Sequence, residues 1–515
     1  MEAIKVNKYK ENAIRILFMF LVGLMSYWQI FNNNNGLELL AVMPFSDAYL
    51  YHYSAWFKAT ISEQGHLSKV LSFSPYELVL TNTIKLFGNS NLTPFIVNSL
   101  LSILSCLSLI NISLRMFNKK VAIICASLYL FCSPILFFSG TTLKTNLVIL
   151  FASLSYWSAF HFYQSKKAYW IIIFTVVTMF CAIDRIHILS VLFVFLYVLI
   201  TSKEHTDIKA KTNYTLVFIM SIVALYSFSA YKYQAEPEYL SPVGLNIYLG
   251  HSKPDNWSLR VKGVRNNIIG HREDARKVAE KETKKTLTNS EVTSFWLKKT
   301  WLYITSNPKE YIKAQVQKLV LLFSPKPYLS QESYQHWRSK KFPLNIAFVD
   351  FSLIFPLFLI GSFLLIKKDK PLLNQYWFSI LSGFIYLFSI MSTIVIERYR
   401  VTALIFMLPI ASYALTQLFK KKYKGLQIFI CLTLLYSCSQ FLGTKMSTKQ
   451  TNEWYTKREL KDHDFRKQQL NWFRLRAELD SKPLSLEKCY EIKNELTAIN
   501  FHRDLKALSQ TCSQL

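Results

Sequence analysis

The 515-residue chain is 51% hydrophobic and 18% charged, and its formal net charge is +28. In soluble domains roughly a quarter of the residues are charged. Here the apolar residues form blocks of about 20, the length of a helix that crosses a bilayer. Because a helix satisfies its own backbone hydrogen bonds in lipid, the composition predicts an all-α polytopic membrane protein and excludes a soluble one.

The apolar blocks predict a bundle of about 11 transmembrane helices. The first block is too long for the core of a secretory signal and lacks a cleavage site of small residues, so we interpret it as an anchor. The short blocks that meet near residue 184 predict either a hairpin or one broken helix. The predicted spans are 13–31, 93–114, 121–138, 143–163, 169–184, 186–201, 213–231, 346–366, 374–395, 401–419 and 425–443.

Clusters of lysine and arginine occur at every second connection and predict the orientation of the chain. Short basic connections face the cytoplasm, so the N-terminus is predicted to be cytoplasmic and no nucleic-acid partner is needed to explain the charge. The outer side then holds the loops 32–92 and 232–345. We divide the chain into a membrane domain, 1–443, and a small helical tail, 444–515, on the same outer side. The clusters are Lys5, Lys8, Lys10 and Arg15; Arg115, Lys119 and Lys120; Lys166 and Lys167; Lys203, Lys209 and Lys211; Lys367, Lys368 and Lys370; and Lys420, Lys421, Lys422 and Lys424.

The first outer loop places an acidic residue, Asp47, just ahead of an amphipathic run rich in Tyr and Trp. Such aromatics favour the membrane interface, so we predict a helix along the surface with Asp47 at its N-terminal end. A helix cap is one interpretation of this aspartate. The other is a general base, because a carboxylate there can take a proton from an attacking hydroxyl. Tyr51, His52 and Glu77 are further candidates for contact with an acceptor.

Four basic residues lie at predicted outer ends of spans: Lys144, Arg185, Arg398 and Arg400. Basic side chains are costly near the hydrocarbon and are therefore candidate functional groups. A phosphate leaving group needs cations to take up its charge, which makes these residues candidates for binding a lipid phosphate. Snorkelling toward the headgroups is the alternative interpretation for each of them.

The large outer loop contains the pattern T-x-x-E from Thr288 to Glu291, which predicts a capping box at the start of a helix through Trp296 and Trp301. His251, in the same loop, is a candidate ligand or acid group. A solvated side chain is the alternative.

The cysteines divide into two groups. Cys489 and Cys512 flank a predicted helical hairpin in the tail and are candidates for a disulfide in an oxidising compartment, with two free thiols as the alternative. The others fall in predicted spans, where cysteine is a packing residue. No Cys/His spacing typical of a metal site is found, so no metal ligand is predicted.

Five groups of residues form a recognisable series of motifs. In chain order they are Ser46-Asp47-Ala48 with Tyr51-His52, Ser74-Pro75-Tyr76, Ser133-Pro134 with the run from Phe138 to Lys144, the run from Gly244 to Gly250, and Glu397-Arg398-Tyr399-Arg400. In their order and spacing they resemble the motifs of bacterial GT-C glycosyltransferases related to the protein mannosyltransferases and to the aminoarabinose transferase of lipid A. The similarity extends from about residue 40 to about residue 420.

The resemblance implies a GT-C-like bundle that transfers a hexose or pentose with inversion. It implies that Asp47 is the catalytic carboxylate and that the donor is a polyprenyl-phosphate sugar. The acceptor hydroxyl belongs to a glycolipid, a polysaccharide or a protein, and the enzyme lies in the cytoplasmic membrane of a bacterium, among its lipids. No cofactor follows with certainty, and a role for a divalent metal is left open.

Two other functions fit part of the pattern. An O-antigen polymerase or ligase also has many spans and a large outer loop, but it would use arginine and histidine of late loops instead of a first-loop carboxylate. A flippase or transporter of lipid-linked sugars predicts charged residues inside the spans and two similar halves. The spans are almost free of ionisable groups away from their ends, which disfavours the transporter.

Overall fold

The computed structural model describes residues 2–33, 47–60, 74–88, 93–141, 143–201, 208–233, 241–251, 261–264, 270–323, 346–368 and 373–420. These residues are mostly helical and include two isolated β-bridges but no strand. The predicted all-α character is therefore confirmed for this part of the chain. The predicted span 425–443 and the tail with Cys489 and Cys512 lie outside the described residues.

The helices of the first half follow the apolar blocks, except that the predicted continuous span 121–138 is wrong: Phe131 and Cys132 interrupt it and divide it into two helices. A 3-10 turn, Ile186–Ile188, and the non-helical Arg185 separate two of them, so the apolar stretch near residue 184 is broken at that point. In chain order these helices are α1 (Glu2–Asn33), α2 (Asp47–Thr60), α3 (Pro75–Phe87), α4 (Thr93–Met116), α5 (Lys119–Leu130), α6 (Ser133–Ser139), α7 (Thr145–Ser165), α8 (Tyr169–Asp184), α9 (Leu189–Thr201) and α10 (Ile208–Tyr233).

The second half begins with helices of the large outer loop. The predicted capping box is confirmed, because the Thr288 hydroxyl accepts from the Glu291 amide at 3.4 Å and the Glu291 carboxylate accepts from the Thr288 amide at 2.7 Å. The helices are α11 (Ser241–His251), α12 (Ala275–Thr283), α13 (Asn289–Ser306), α14 (Pro308–Phe323), α15 (Phe351–Lys368), α16 (Leu373–Ile390) and α17 (Glu397–Lys420).

Three of the described helices are long and apolar enough to cross a membrane: Thr93–Met116, Ile208–Leu225 and Glu397–Phe419. Shorter apolar helices occupy Tyr169–Asp184, Ile186–Thr201, Phe351–Lys367 and Gln375–Ile390. All of them coincide with predicted spans. The total of about 11 spans stays a prediction.

Helix α17 forms the centre of the bundle core. Phe406 and Met407, halfway along it, are fully buried. Gly361 lets α15 approach closely, since a Cβ at that position would lie 2.4 Å from the Ile410 carbonyl oxygen. Small residues permit such approach between membrane helices. The predicted packing role of the span cysteines is confirmed for those described, which are all buried: Cys106, Cys125, Cys132 and Cys181.

A second, smaller core lies within the large outer loop. Leu245, Leu249 and Trp296 pack there against Ile394 and Ile396, which precede α17. The segment 391–396 therefore connects two helices of the bundle along the chain, while its side chains pack against the outer loop.

The helix ends gather at two opposite ends of the bundle. One end holds Lys144 before α7, Asp184 at the end of α8 and the start of α17. At the other end Nη1 of Arg115, in the last turn of α4, lies 3.2 Å from Nδ1 of His161 near the end of α7. The basic Arg115, predicted to be cytoplasmic, thus lies opposite the candidate residues predicted to face outward. The side of the membrane that each end faces stays a prediction.

Candidate active site

Helix α2 begins at Asp47, where the sequence predicts the start of a helix, and packs against α3. Tyr51 and His52 are buried on it. The Tyr51 ring meets the Tyr76 ring edge to face, with 5.8 Å between centroids. This contact fixes the first turns of α2 on α3. The side chain of Asp47 lies outside the described part of the structure.

Glu77 attaches α2 to α3. Its side chain is fully buried, Ser54 Oγ donates to Oε1 at 3.2 Å, and Nζ of Lys58 lies 3.7 Å from Oε2. Burial raises the pKa of the Glu77 carboxyl, although the Lys58 charge and the Ser54 hydroxyl act in the opposite direction. The contacts of Glu77 thus hold α2 in place, and its contact with an acceptor stays a prediction.

Asp184 is the centre of a polar cluster that joins four parts of the chain. Its side chain is 1% exposed, and Oδ1 accepts a hydrogen bond from Ser74 Oγ at 2.8 Å. Nζ of Lys144 lies 3.4 Å from the same oxygen, and that lysine side chain is 28% exposed. Lys144 Nζ also lies 5.7 Å from the centroid of the Tyr51 ring. The cluster therefore connects the end of α8 with the starts of α7, α3 and α2.

Arg185 follows Asp184 directly and stacks on Tyr399, with 4.1 Å between its guanidinium carbon and the ring centroid. The arginine is 3% exposed. Its Nε and Nη1 atoms are buried and have no hydrogen-bond partner among the described residues. Since buried donors without acceptors are costly, this guanidinium is suited to an anionic ligand.

A network of hydrogen bonds through two asparagine side chains lies next to the cluster. The Tyr76 hydroxyl donates to Asn98 Oδ1 at 3.2 Å, and Asn98 Nδ2 donates to the Thr141 carbonyl at 2.5 Å. Asn146, in the first turn of α7, donates to the Asn98 carbonyl at 3.4 Å. These bonds set the position of α3 relative to the turn that carries Lys144.

The two remaining basic candidates occupy different surroundings. Arg400 is fully buried, with Nη2 2.6 Å from Glu397 Oε2 and Nη1 donating to the Leu322 carbonyl at 3.2 Å. Arg398 lies beside Tyr399, with 5.8 Å between its guanidinium carbon and the ring centroid. The structure thus brings Lys144 and Arg185 close to Asp184, whereas Arg400 forms an internal ion pair. A role in binding lipid phosphate stays a prediction for all four cations.

His251 ends α11 and is half-buried in contacts with α14 and the turn after α16. Its Nε2 lies 3.0 Å from the Ser392 carbonyl oxygen, and Nδ1 lies 3.2 Å from Gln315 Nε2. Burial and the nearby Lys318 lower the pKa of His251 to about 4. A neutral imidazole with its proton on Nε2 fits both partners. Its role as a ligand or acid group stays a prediction.

Asp184 and Tyr399 were not among the residues that the sequence marked for chemistry. The signal for Asp184 was present, because an adjacent acid and base interrupt an apolar stretch there, and such groups are expensive near a membrane. Tyr399 offers no comparable signal in its own sequence. Among the described residues, no three His, Cys, Asp or Glu side chains gather closely enough to hold a metal ion.

A comparison with protein families gives a match to part of the chain. Residues 76–231 match the family model described as dolichyl-phosphate-mannose-protein mannosyltransferase. This segment contains Lys144, Asp184 and Arg185. No curated protein matches the chain significantly in sequence.

Two solved structures are similar to the chain in outline. One is the archaeal oligosaccharyltransferase AglB from Archaeoglobus fulgidus in complex with an inhibitory peptide and a dolichol-phosphate; the match has 12% identity and a TM-score of 0.42, and covers 85% of this chain and 55% of that one. The other is the Archaeoglobus fulgidus oligosaccharyltransferase in the apo form, with 11% identity, a TM-score of 0.41, and 84% and 55% of the two chains covered. The chain thus spans 55% of the length of each. Similarity at this level establishes neither a shared fold nor a shared activity.

Proposed function

We propose, from the resemblance to GT-C membrane glycosyltransferases and from the family match over residues 76–231, that the chain transfers a sugar from a polyprenyl-phosphate donor to an acceptor hydroxyl. Asp47 acts as the general base in this proposal. Lys144 and Arg185 face the phosphate of the donor, and Asp184 holds Lys144 in position.

The observation that carries the proposal is the cluster of Lys144, Asp184 and Arg185 at one end of the bundle, inside the segment that matches the family model. A lipid phosphate carries its charge at the membrane surface, where the helix ends lie. Arg185 offers two buried donors without a partner among the described residues, and Lys144 is partly exposed. Charge-assisted hydrogen bonds from such cations to phosphate are strong.

The proposed reaction is a single displacement. The acceptor oxygen attacks the anomeric carbon while the bond from that carbon to the phosphate oxygen breaks, and the electron pair leaves with the polyprenyl phosphate. Asp47 takes the proton of the acceptor hydroxyl. Lys144 and Arg185 take up the charge that develops on the leaving phosphate. Attack opposite the leaving group inverts the configuration of the sugar.

The position of Asp47 along α2 supports its role. It begins the helix, and Tyr51, one turn later, lies against both Tyr76 and Lys144. The attachment of Glu77 to Ser54 holds the same helix on α3. A base at the start of α2 is therefore carried on a helix that is anchored beside the cation cluster.

We place the reaction on the outer face of a bacterial cytoplasmic membrane. The alternating basic connections of the sequence support this orientation, and Arg115 lies at the end of the bundle opposite the cluster. The acceptor is a glycolipid, a polysaccharide or a protein, and the large outer loop, 232–345, helps to shape its binding site.

The decisive experiment compares cell-envelope glycans by mass spectrometry in cells that express wild type, Asp47→Ala and Asp47→Asn. We expect both variants to reach the membrane and to lose the product. Glu282→Ala is the matched control, because Glu282 is a half-exposed acid on α12, paired only with Lys299 in the described structure. A product that persists in Asp47→Ala removes this residue from catalysis.

The same assay separates the proposal from an O-antigen polymerase or ligase. That alternative predicts loss of product in Arg398→Ala and His251→Ala together with full activity in Asp47→Ala. Our proposal predicts that Asp47→Ala loses the product.

A further inference from the structure

The segment 391–396, between α16 and α17, has contacts on both sides that link the large outer loop to the candidate active site. On the loop side, Lys318 of α14 donates from Nζ to the Gly250 carbonyl at 2.8 Å and to the Met391 carbonyl. Nε2 of His251 lies 3.0 Å from the Ser392 carbonyl oxygen. The amine and the imidazole thus connect two loop helices to one turn.

Gly250 shows how closely this contact is made. A Cβ on Gly250 would lie 2.2 Å from the carbonyl oxygen of Thr393 and 2.6 Å from its carbonyl carbon. Backbone therefore meets backbone, with no side chain between them to absorb a movement. A displacement of α11 displaces Thr393 as well.

The opposite side of the segment contacts the active-site cluster. Thr393 Oγ1 lies 3.0 Å from Nε2 of His187, in the 3-10 turn that follows Arg185. The His187 ring lies 5.3 Å from the ring of Tyr399, and the Arg185 guanidinium stacks on that tyrosine at 4.1 Å. Tyr399 also packs against the hydrophobic clusters of the bundle and of the outer loop.

We propose that the segment 391–396 couples the large outer loop to the Arg185–Tyr399 stack, so that binding of the acceptor and of the lipid phosphate are energetically linked. This inference rests on the proposed function. In it Thr393 and His187 are positioning residues, which act on the phosphate site through Tyr399. Because coupling is reciprocal, the lipid phosphate in turn favours the docked position of the loop.

Binding of undecaprenyl phosphate to the full chain in detergent tests the coupling. Thr393→Val removes the hydroxyl but keeps the side-chain volume, and we expect it to weaken binding roughly fivefold, at the lower end of ordinary coupling between sites. Ser392→Ala is the matched control, since its hydroxyl donates to the Ser389 carbonyl in its own turn, has no second partner among the described residues, and leaves the Ser392 carbonyl in place when it is removed. We expect wild-type affinity for this control.

Lys318→Met tests the contacts on the loop side of the same segment. We expect weaker binding here too, and no further loss when it is combined with Thr393→Val, because both variants interrupt one chain of contacts. Hydrogen exchange supplies a second readout: undecaprenyl phosphate should slow exchange in residues 241–251 of wild type and not of Thr393→Val. This measurement remains informative if Lys318→Met does not fold.

The outcomes for coupling and for the phosphate site differ. If Arg185→Ala abolishes binding while Thr393→Val binds like wild type and exchange in 241–251 does not respond, the phosphate site is correct and the coupling is wrong. If Arg185→Ala binds normally, the proposed phosphate site itself is wrong.

Discussion

The Nζ atom of Lys144 lies 3.4 Å from Oδ1 of Asp184, and each residue has the wrong charge for its own helix end. Lys144 precedes α7, whose N-terminus is the positive end of the helix dipole, and Asp184 ends α8 at the negative end. Neither charge stabilises its helix. Each is compensated by the other and, for Asp184, by the Ser74 hydroxyl. Charges placed against the dipole in this way are expected where a site needs them.

Breaking the Lys144–Asp184 pair should therefore destabilise the protein. Asp184→Ala leaves the Ser74 hydroxyl and the Lys144 amine without their acceptor, and we expect a loss of about 1–3 kcal/mol. The measurement is the thermal midpoint of the purified protein in detergent. Lys144→Met with Asp184→Ala should lose less than the sum of the single losses. Strictly additive losses would show that the two side chains do not interact.

Gly250 provides a steric test of the docking of α11. Gly250→Ala puts a Cβ 2.2 Å from the Thr393 carbonyl oxygen, so backbone must shift, and we expect a loss of about 1–3 kcal/mol. Gly23→Ala is the control, since the nearest described atom to its Cβ would be Ile103 Cδ1 at 3.6 Å, an ordinary contact. The two variants are compared by their thermal midpoints and by the rate of limited proteolysis of the outer loop. Equal behaviour of both variants would contradict the close approach.

The sequence predicted what depends on neighbours along the chain. Apolar block length predicts where the described apolar helices lie, apart from the break at Phe131 and Cys132 within the block 121–138. The sequence also predicts that a helix begins at Asp47 and that Thr288 to Glu291 form a capping box. Each of these depends on local hydrogen bonds or on lipid exposure, which residue order specifies directly.

The partners of the site residues could not be predicted in the same way. Ser74 and Asp184 are 110 residues apart, and Lys318 and Met391 are 73 apart. Which helix ends meet depends on how the helices pack, and periodicity along one helix does not contain that information. The sequence therefore marked Arg398 and Arg400 as equivalent cations, whereas packing directs Arg400 into a buried pair with Glu397.

Glu77 should tolerate loss of charge better than loss of its side chain. Burial raises the pKa of this carboxyl, so a neutral group is accommodated there. Glu77→Gln keeps an acceptor for the Ser54 hydroxyl, and we expect near wild-type stability. Glu77→Ala leaves Ser54 without it and should cost about 1–3 kcal/mol and reduce transfer, because α2 carries Asp47. Thermal midpoints and product formation distinguish them; a Gln variant as unstable as the Ala variant would mean that the charge matters.

Lys318 should make the docking of the outer loop depend on pH. Burial lowers its pKa to about 7, from an ordinary value of about 10.5. The docked state therefore binds this proton less tightly than the undocked state. Docking is most stable above the ordinary pKa, weakens as the pH falls toward 7, and changes little below that value. His251 faces the amine, but with a pKa of about 4 it stays neutral throughout this range.

The corresponding measurement compares thermal midpoints of wild type and Lys318→Met at pH 7 and pH 9 in the same detergent. Between these values the docked amine is largely neutral and the undocked amine is charged, so wild type should gain stability relative to Lys318→Met as the pH rises. Lys309→Met, an exposed lysine in the first turn of the same helix, is the control and should follow wild type. A wild type and a Lys318→Met variant with parallel pH profiles would show that the amine keeps its proton when docked.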